Sequence, residues 1–103
     1  MNYSIKYLDE AKIDLRDIVI YIWDYSISVA QKIVKFLTDK IDRELSITPH
    51  MYREYSPWIR VIPHKWYVIF YKVNDEKKLV EIITVAHWAR DLNNLNNLDI
   101  KKD

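Results

Sequence analysis

The 103-residue chain contains no cysteine and no glycine, and it has three prolines. Without cysteine, neither a disulfide framework nor a thiolate metal site can form. Without glycine, any turn that requires a positive φ must use another residue, and we predict Asn or Asp because they tolerate the left-handed region best. No basic-then-apolar signal opens the sequence, and no apolar run approaches the roughly 18 residues of a membrane span. We therefore expect a cytoplasmic protein with no membrane partner.

The composition is that of one soluble globular domain, with 50% hydrophobic and 30% charged residues. The formal net charge is +1, but the charges are unevenly distributed. Residues 9–25 carry five acidic and two basic residues, whereas residues 50–91 carry seven basic and five acidic residues and all three histidines. A protein that bound nucleic acid mainly by neutralising phosphates would usually be more basic, so the charge gives only weak support for a polyanionic partner.

An alternating pattern comes first in the chain, and a helical pattern follows it. Residues 3–8 alternate between apolar and polar side chains, which is typical of a half-buried strand. Apolar residues then recur every three or four positions, as in an amphipathic helix over about 9–25 with Asp9 as its N-cap. The stripe expected to face the core consists of Ala11, Leu15, Ile18, Ile22 and Tyr25.

A second helix is predicted over residues 28–47. Ser28 and Gln31 form a capping box at its start, and Thr48-Pro49 should end it because the residue before a proline resists the helical region. Since the break between the two helices is short, they should form an antiparallel hairpin. The buried stripe of the second helix consists of Ala30, Ile33, Leu37, Ile41 and Leu45, with Val34 beside it.

Three consecutive strands are predicted in the second half of the chain, after an aromatic loop at residues 49–58. The last strand is apolar on both faces, so both of its faces must be covered. Pro63 argues for an edge position or a bulge in the first of the three. The predicted strands span residues 59–64, 66–73 and 79–86, with a polar turn at 74–78 between the last two.

Together these elements predict a single α+β domain over residues 1–103 with the order β-α-α-β-β-β. A helical hairpin should pack on one face of a small, mostly antiparallel sheet of four strands. The sequence shows no internal repeat and no linker. Residues 93–103 are expected to form a C-terminal tail.

A set of spaced residues points to a known family. Its members are Asp14-Leu15, Ile18 and Tyr21-Ile22 in the first helix, Ala30 in the second, Arg60, Pro63, Tyr67, Ile69, Tyr71 and Val73 in the sheet, and His87 with Arg90-Asp91 at its end. In this order and spacing, over roughly residues 3–92, the set resembles the RelE/ParE superfamily of bacterial type II toxins. The sequence departs from the family where a glycine commonly precedes the sheet arginine, because Ser56-Pro57-Trp58-Ile59 stands there instead.

The resemblance implies one of two targets. RelE-like members are ribosome-dependent mRNA endonucleases that need no metal, whereas ParE-like members poison DNA gyrase and are not nucleases. The low net charge favours gyrase poisoning slightly over cleavage of ribosome-bound mRNA. A non-toxic module that still binds an antitoxin is a further alternative.

The resemblance also implies a cognate antitoxin as partner, because both kinds of toxin are held inactive by an antitoxin encoded alongside. The last two strands bring more apolar surface than two helices obviously cover. We therefore expect a segment of the antitoxin to complete the burial of the sheet. No cofactor is expected.

If the chain is a nuclease, the resemblance makes Arg60, His87 and Arg90 the catalytic candidates. Metal-free cleavage requires activation of a 2′-hydroxyl, charge stabilisation and protonation of the leaving oxygen. Arg60 would supply the charge, although a salt bridge or a packed stem explains it equally well. His87 would exchange protons near neutrality, and Arg90 would contact a phosphate or an antitoxin carboxylate, or pair with Asp91. Glu54 is a carboxylate that would serve as a base, but a solvated loop charge is the simpler interpretation.

His64, Lys65, Tyr67 and Tyr71 are the candidates for contacting nucleic acid or a target protein. His64 and Lys65 lie at a strand turn and would suit phosphate, although turns are often basic. Tyr67 and Tyr71 share one strand face, so they either stack on bases or, as the favoured alternative, fill the core. No pair of histidines has i, i+4 spacing, and no His/Asp cluster indicates a metal site.

Overall fold

The computed structural model describes residues 2–23 and 26–87. Within these ranges, neither helix has the length and apolar character needed to cross a membrane. The elements of the described residues are β1 Ser4–Tyr7, α1 Asp9–Trp23, α2 Ile27–Leu45, β2 Glu54–Ser56, β3 Ile59–His64, β4 Tyr67–Asn74 and β5 Leu79–His87.

The five strands of the described residues form one mixed sheet in the order β1-β5-β4-β3-β2. β1 runs parallel to β5, and the other neighbouring pairs are antiparallel. The predicted α+β domain with a mostly antiparallel sheet is therefore confirmed. The predicted count of four strands is wrong because β2, with three residues inside the expected loop at 49–58, is too short to show an alternating pattern.

α1 begins at Asp9, which is its first residue rather than its N-cap. The carbonyl of Leu8 accepts a hydrogen bond of 3.0 Å from the N–H of Lys12, in the first turn of the helix. Asp9 and Glu10 still lie in that first turn, where the positive end of the helix dipole stabilises their carboxylates. Tyr25 and Asp24, at the predicted end of this helix, lie outside the described residues. The rest of the predicted stripe is confirmed, since Ala11 and Ile18 are buried and Leu15 and Ile22 pack against the core.

α2 starts one residue earlier than predicted because Ser26, and not Ser28, is its N-cap. The Ser26 hydroxyl accepts a hydrogen bond of 3.2 Å from the N–H of Val29. The capping box of Ser28 and Gln31 is therefore wrong, since two serines two positions apart each offer a cap. The predicted stripe is confirmed: Ala30, Leu37, Ile41 and Leu45 are buried, and Ile33 and Val34 pack against the core.

The two helices cover one face of the sheet, and the opposite face carries a second apolar cluster. Alternate residues of a strand point to opposite faces, so members of the two sets interleave along β3 and β4. The prediction that the last strand is apolar on both faces is confirmed. On the helix-covered face the core includes Ile62, Tyr67, Ile69, Tyr71, Val80, Ile82 and Val85. On the opposite face the buried residues are Val61, Val68, Phe70 and Ala86, with Tyr55, Ile59 and Ile83 packed against them.

The hairpin turns place three non-glycine residues at positive φ. Among the described residues these are Trp58 (73°), Lys65 (57°) and Lys78 (52°), so the prediction of Asn or Asp at such positions is wrong. Each of the three lies in the turn between two paired strands, and closing a short antiparallel turn fixes the backbone whatever the side chain. The left-handed conformation costs a non-glycine residue roughly 1–2 kcal/mol. Asn74 instead begins the predicted turn at 74–78, where its side-chain oxygen accepts the N–H of Lys77 at 3.0 Å.

Pro63 lies in the part of β3 that the short β2 does not reach. It pairs with Val68 of β4, whereas the pairing of β2 with β3 ends at Arg60. Among the described residues, this part of β3 therefore has β4 as its only neighbouring strand. The prediction of an edge position is wrong for β3 as a whole, which lies between β4 and β2, but the part that holds Pro63 has a free side and the missing N–H of proline breaks no ladder there.

Candidate functional site at the two ends of the β3–β4 hairpin

The predicted site residues within the described ranges lie on the helix-covered face of the sheet, at two separate places. Arg60 pairs with Tyr71 across β3 and β4, and we call this place the arginine end. His64 pairs with Tyr67, which in turn pairs with His87 of β5, and we call this place the histidine end. The two ends lie four residues apart along β3, or about 13 Å at roughly 3.3 Å per residue.

At the arginine end, backbone carbonyls bind the guanidinium of Arg60. Its Nη1 donates hydrogen bonds to the carbonyl of Tyr52 at 2.5 Å and to that of His50 at 3.2 Å. Its Nη2 lies 3.8 Å from the Oε2 of Glu54, and the side chain is 22% exposed. Arg60 therefore holds the loop before β2 against the sheet. These contacts fit the alternative that Arg60 is a salt-bridged or packed side chain rather than a catalytic one. A phosphate would have to bind through Nε and Nη2.

Tyr71 reinforces the same loop from inside the core. Its ring is fully buried, and its hydroxyl donates a hydrogen bond of 2.7 Å to the carbonyl of Pro49. Burial raises the pKa of the Tyr71 hydroxyl, although the nearby charge of Arg60 acts in the opposite direction. The hydroxyl is therefore a neutral donor across the physiological range. These contacts fit the core alternative for Tyr71, because stacking on a base would require an exposed ring.

A half-buried polar group connects α2 to this loop. The hydroxyl of Tyr52 donates to Oε1 of Glu44, and Nζ of Lys40 lies 3.2 Å from Oε2 of the same carboxylate. Burial opposes the ionised carboxylate, but the hydrogen bonds from Tyr52 and Lys40 outweigh it and lower the pKa of Glu44. Glu44 is therefore an ionised acceptor and a poor proton donor near neutrality. Sequence reasoning missed this group because Lys40 and Glu44 have the i, i+4 spacing of an ordinary helix-surface ion pair.

At the histidine end, two imidazoles flank a buried tyrosine. The rings of Tyr67 and His87 meet edge to face with centroids 5.3 Å apart. Burial, and then the charges of Lys40 and Lys65, lower the pKa of His64, so its imidazole is neutral at pH 7. Adjacent strands lie about 4.8 Å apart, which separates the backbones of His64 and His87 by roughly 10 Å. Any oxygen that both imidazoles contacted would have to lie over Tyr67.

The β3–β4 turn extends the histidine end towards α2. Nζ of Lys65 lies 5.8 Å from the ring centroid of Phe36. Trp66 is 68% exposed and Phe36 is 64% exposed, although both are large aromatic residues. A cleft of about 160 Å³ lies among these side chains, and a hollow of about 530 Å³ adjoins it along α2. The cleft is also lined by Val29, Lys32, Ile33, Leu37, His64 and Tyr67.

The structure therefore brings together His64, Lys65, Tyr67 and His87 and places Arg60 elsewhere. Arg90 lies outside the described residues. No three His, Asp or Glu side chains of residues 2–23 and 26–87 come together as a metal site would require. In this part of the chain Arg60 lies at the opposite end of the hairpin from His64 and His87, and Lys65 is the cation beside His64.

Comparison with known proteins identifies the family of the chain. The sequence model of the family described as "ParE toxin of type II toxin-antitoxin system, parDE" matches residues 5–92. No curated protein sequence matches the chain.

Several solved structures share the fold. The RelBE2 toxin–antitoxin complex of Mycobacterium tuberculosis contains a chain that is 18% identical with a TM-score of 0.68, and the match covers 84% of this chain and 92% of that one. The chromosomal ParDE system of P. aeruginosa gives 19% identity and a TM-score of 0.69, covering 82% and 95%. The isolated E. coli RelE toxin gives 20% identity and a TM-score of 0.59, covering 97% of each chain. At these identities the structural likeness concerns the fold alone.

Proposed function

The chain belongs to the family of ParE toxins of type II toxin–antitoxin systems, and from this premise we propose that it inhibits growth until a cognate antitoxin binds it. The family match spans both helices and all strands from β2 to β5. Fold neighbours come from toxin–antitoxin systems, including the RelBE2 complex and the ParDE system, and this supports an antitoxin partner for the present chain.

We propose DNA gyrase as the target in preference to ribosome-bound mRNA. The observation that carries this preference is the position of Arg60, the arginine to which the resemblance gives the charge-stabilising role. Its Nη1 is occupied by two loop carbonyls, and it lies at the end of β3 opposite His64. Metal-free RNA cleavage needs a cation and a proton-transfer group at the same phosphate, so Lys65, in the exposed turn beside His64, would have to replace Arg60 in this role. The net charge of +1 adds support, since a protein that worked on ribosome-bound mRNA would benefit from a broad basic face.

The test is induction of the chain from a tightly repressed promoter, with and without the protein encoded by the neighbouring reading frame. Growth should stop in the first case and continue in the second. A gyrase poison should switch on a DNA-damage reporter while early messages stay intact by primer extension. Purified chain should also inhibit supercoiling by gyrase in vitro.

Two results would contradict the proposal in different ways. If growth stops but primer extension shows early cleavage at codon positions, and His87→Ala abolishes the cleavage, the target is mRNA. If the neighbouring protein does not restore growth, the antitoxin part fails. Lys77→Ala, at an exposed position in the turn between β4 and β5, at the other end of β4 from His64 and His87, is the matched control and should retain wild-type toxicity at equal expression.

A further inference from the structure

An exposed surface on α2 and the β3–β4 turn has the composition of a protein-binding site. We call it the α2–turn surface, and it consists of the apolar residues Val29, Ile33, Phe36 and Trp66 with Lys32, Lys35 and Lys65 around them. Its two aromatic side chains are more than half exposed, and Val29 is 45% exposed. Leu37 and Tyr67 line the cleft from below and are buried, so the surface is an extension of the core rather than scattered apolar residues.

The apolar residues of the α2–turn surface follow one line along the helix. Val29, Ile33 and Phe36 are spaced four and three residues apart, which puts them on one side of α2. Trp66 continues this line from the turn, because Lys65 beside it lies over the ring of Phe36 at 5.8 Å. The helical part extends over seven residues of rise, or about 10 Å at 1.5 Å per residue, which matches two turns of a helix laid alongside.

Lysines border this apolar line on both sides. Lys32 and Lys35 stand on α2, and Lys65 stands on the turn. The acidic residue at the same place is Asp39, whose carboxylate pairs with Lys35 at 3.2 Å. An apolar centre within a basic border complements an apolar stripe flanked by carboxylates on the partner.

We infer that the α2–turn surface binds an acidic amphipathic helix of the cognate antitoxin, with Phe36 and Trp66 as its main anchors. This inference rests on the proposed function, and it places the contact on the helix-covered side of the domain rather than on the apolar sheet face. Exposed aromatic residues that fill a partner's pockets carry most of the affinity of protein interfaces. The lysines set the sign of the partner's charge and accelerate its association.

Single-stranded nucleic acid fits the same surface less well. Two exposed rings beside lysines would suit stacked bases. However, the other apolar residues of the cleft are aliphatic. Val29, Ile33 and Leu37 offer no hydrogen bond to a base edge and no charge to a phosphate. A nucleic-acid groove would also need more cations along the backbone path than these three lysines provide.

The experiment measures binding of the full-length chain to the protein encoded by the neighbouring reading frame. Phe36→Ala/Trp66→Ala should weaken the affinity at least about 30-fold, since two anchors are lost. Lys32→Glu/Lys35→Glu should weaken it roughly 10-fold, mainly through slower association, and should flatten its dependence on salt. Both variants change exposed side chains, and circular dichroism checks that they fold.

Two variants at exposed positions outside the α2–turn surface serve as matched controls. Trp58→Ala removes a tryptophan that is even more exposed than Trp66 and Lys77→Glu reverses an exposed lysine, and both should bind within about twofold of wild type. If wild type binds tightly but Phe36→Ala/Trp66→Ala binds as well as wild type, this surface is not the contact and the proposed function still stands. If wild type does not bind the neighbouring protein, the proposed function and this inference fail together. If instead the double variant loses binding to a labelled 20-nucleotide dT oligomer while keeping its affinity for the protein, the surface belongs to nucleic acid and the inference is overturned.

Discussion

The two ends of the β3–β4 hairpin use similar residues in opposite ways. At the arginine end, the polar atoms of Arg60 and Tyr71 bind backbone carbonyls of the preceding loop. At the histidine end, the side chains of Lys65 and Trp66 extend outward from the turn and border a cleft with α2. A cation and an aromatic residue thus stabilise the fold at one end and form an exposed surface at the other.

The difference follows from what covers each end. The loop at residues 49–53 folds over the arginine end, and its carbonyls would lack partners without the guanidinium and the phenol. Over the histidine end lies α2, where the described residues form an apolar line bordered by lysines. Loss of activity on mutation therefore has a different meaning at each end. At the arginine end it must first be separated from loss of folding, whereas at the histidine end the exposed side chains of Lys65 and Trp66 can be changed at little cost to stability.

The largest expected effect is that of Tyr71→Ala. Removing a fully buried aromatic ring should lower the free energy of unfolding by about 3–5 kcal/mol. Trp66→Ala, at the other end, should change it by less than about 0.5 kcal/mol because the ring is mostly exposed. Urea unfolding followed by circular dichroism measures both. Equal losses would remove the distinction between the two ends.

Arg60→Ala should have the next largest effect. Two carbonyl groups lose a charged donor, which should destabilise the fold by about 1–3 kcal/mol. Arg60→Lys should recover part of this loss, since an ammonium group can reach one carbonyl but lacks the planar fork. Lys65→Ala is the control cation at the histidine end and should cost less than about 1 kcal/mol. If Arg60→Ala abolished toxicity with unchanged stability, Arg60 would be a functional residue rather than a structural one.

A smaller effect is expected where the two ends are alike. Both turns of β3 hold a non-glycine residue at positive φ, Trp58 before the strand and Lys65 after it. Trp58→Gly and Lys65→Gly should each stabilise the fold by about 0.5–1 kcal/mol, because relief of the left-handed conformation exceeds the extra entropy of an unfolded glycine. Trp58→Ala removes the indole but keeps the backbone conformation, so it should show no such gain. A loss of stability in Trp58→Gly would show that the indole contributes packing.

The fold could be predicted because its signals are local and repeated. The stripes of both helices and the alternation of the strands lie in the sequence itself, and each is supported by several residues. β2 was unpredictable because three residues carry no period, and the start of α2 was ambiguous because Ser26 and Ser28 both suit an N-cap. The positive-φ positions were missed because tertiary closure of the turns, rather than side-chain preference, determines them.

The candidate site could be predicted as a set of residue types but not as a geometry. Arg60, His64 and His87 look alike in sequence, since each is an ionisable residue near the end of an apolar strand. Which of them meets a loop carbonyl depends on how residues 49–53 fold back, and that contact joins segments distant from each other in the pattern. The α2–turn surface was missed for a similar reason, because Phe36 and Trp66 lie 30 positions apart in the sequence.

The two ends should also respond to acid in different pH ranges. Burial, with Lys40 and Lys65, lowers the pKa of His64 below its ordinary value of 6.5, so the folded state binds this proton less readily than the unfolded state. Its contribution to stability is therefore complete above pH 6.5 and is lost as the pH falls through the lowered pKa. His64→Gln should remove this part of the pH dependence.

The loop at the arginine end should lose its own contribution at lower pH. The Oδ1 of Asp75 accepts hydrogen bonds from Nε2 of His50 and from the hydroxyl of Tyr3, both at 2.8 Å. The bond from His50, and then the bond from Tyr3, lower the pKa of Asp75 below 3.8. This carboxylate stabilises the fold above pH 3.8, and its contribution disappears as the pH falls through the depressed pKa. Urea midpoints measured from pH 8 to pH 2 should therefore decline in two steps. Asp75→Asn should shrink the lower step, to which Glu44 also contributes because its pKa is lowered as well, and Glu76→Gln, at the neighbouring exposed position, should leave both steps unchanged. A single step shared by the His64→Gln and Asp75→Asn variants would mean that the two ends titrate as one unit and that their separation along β3 has no consequence for stability.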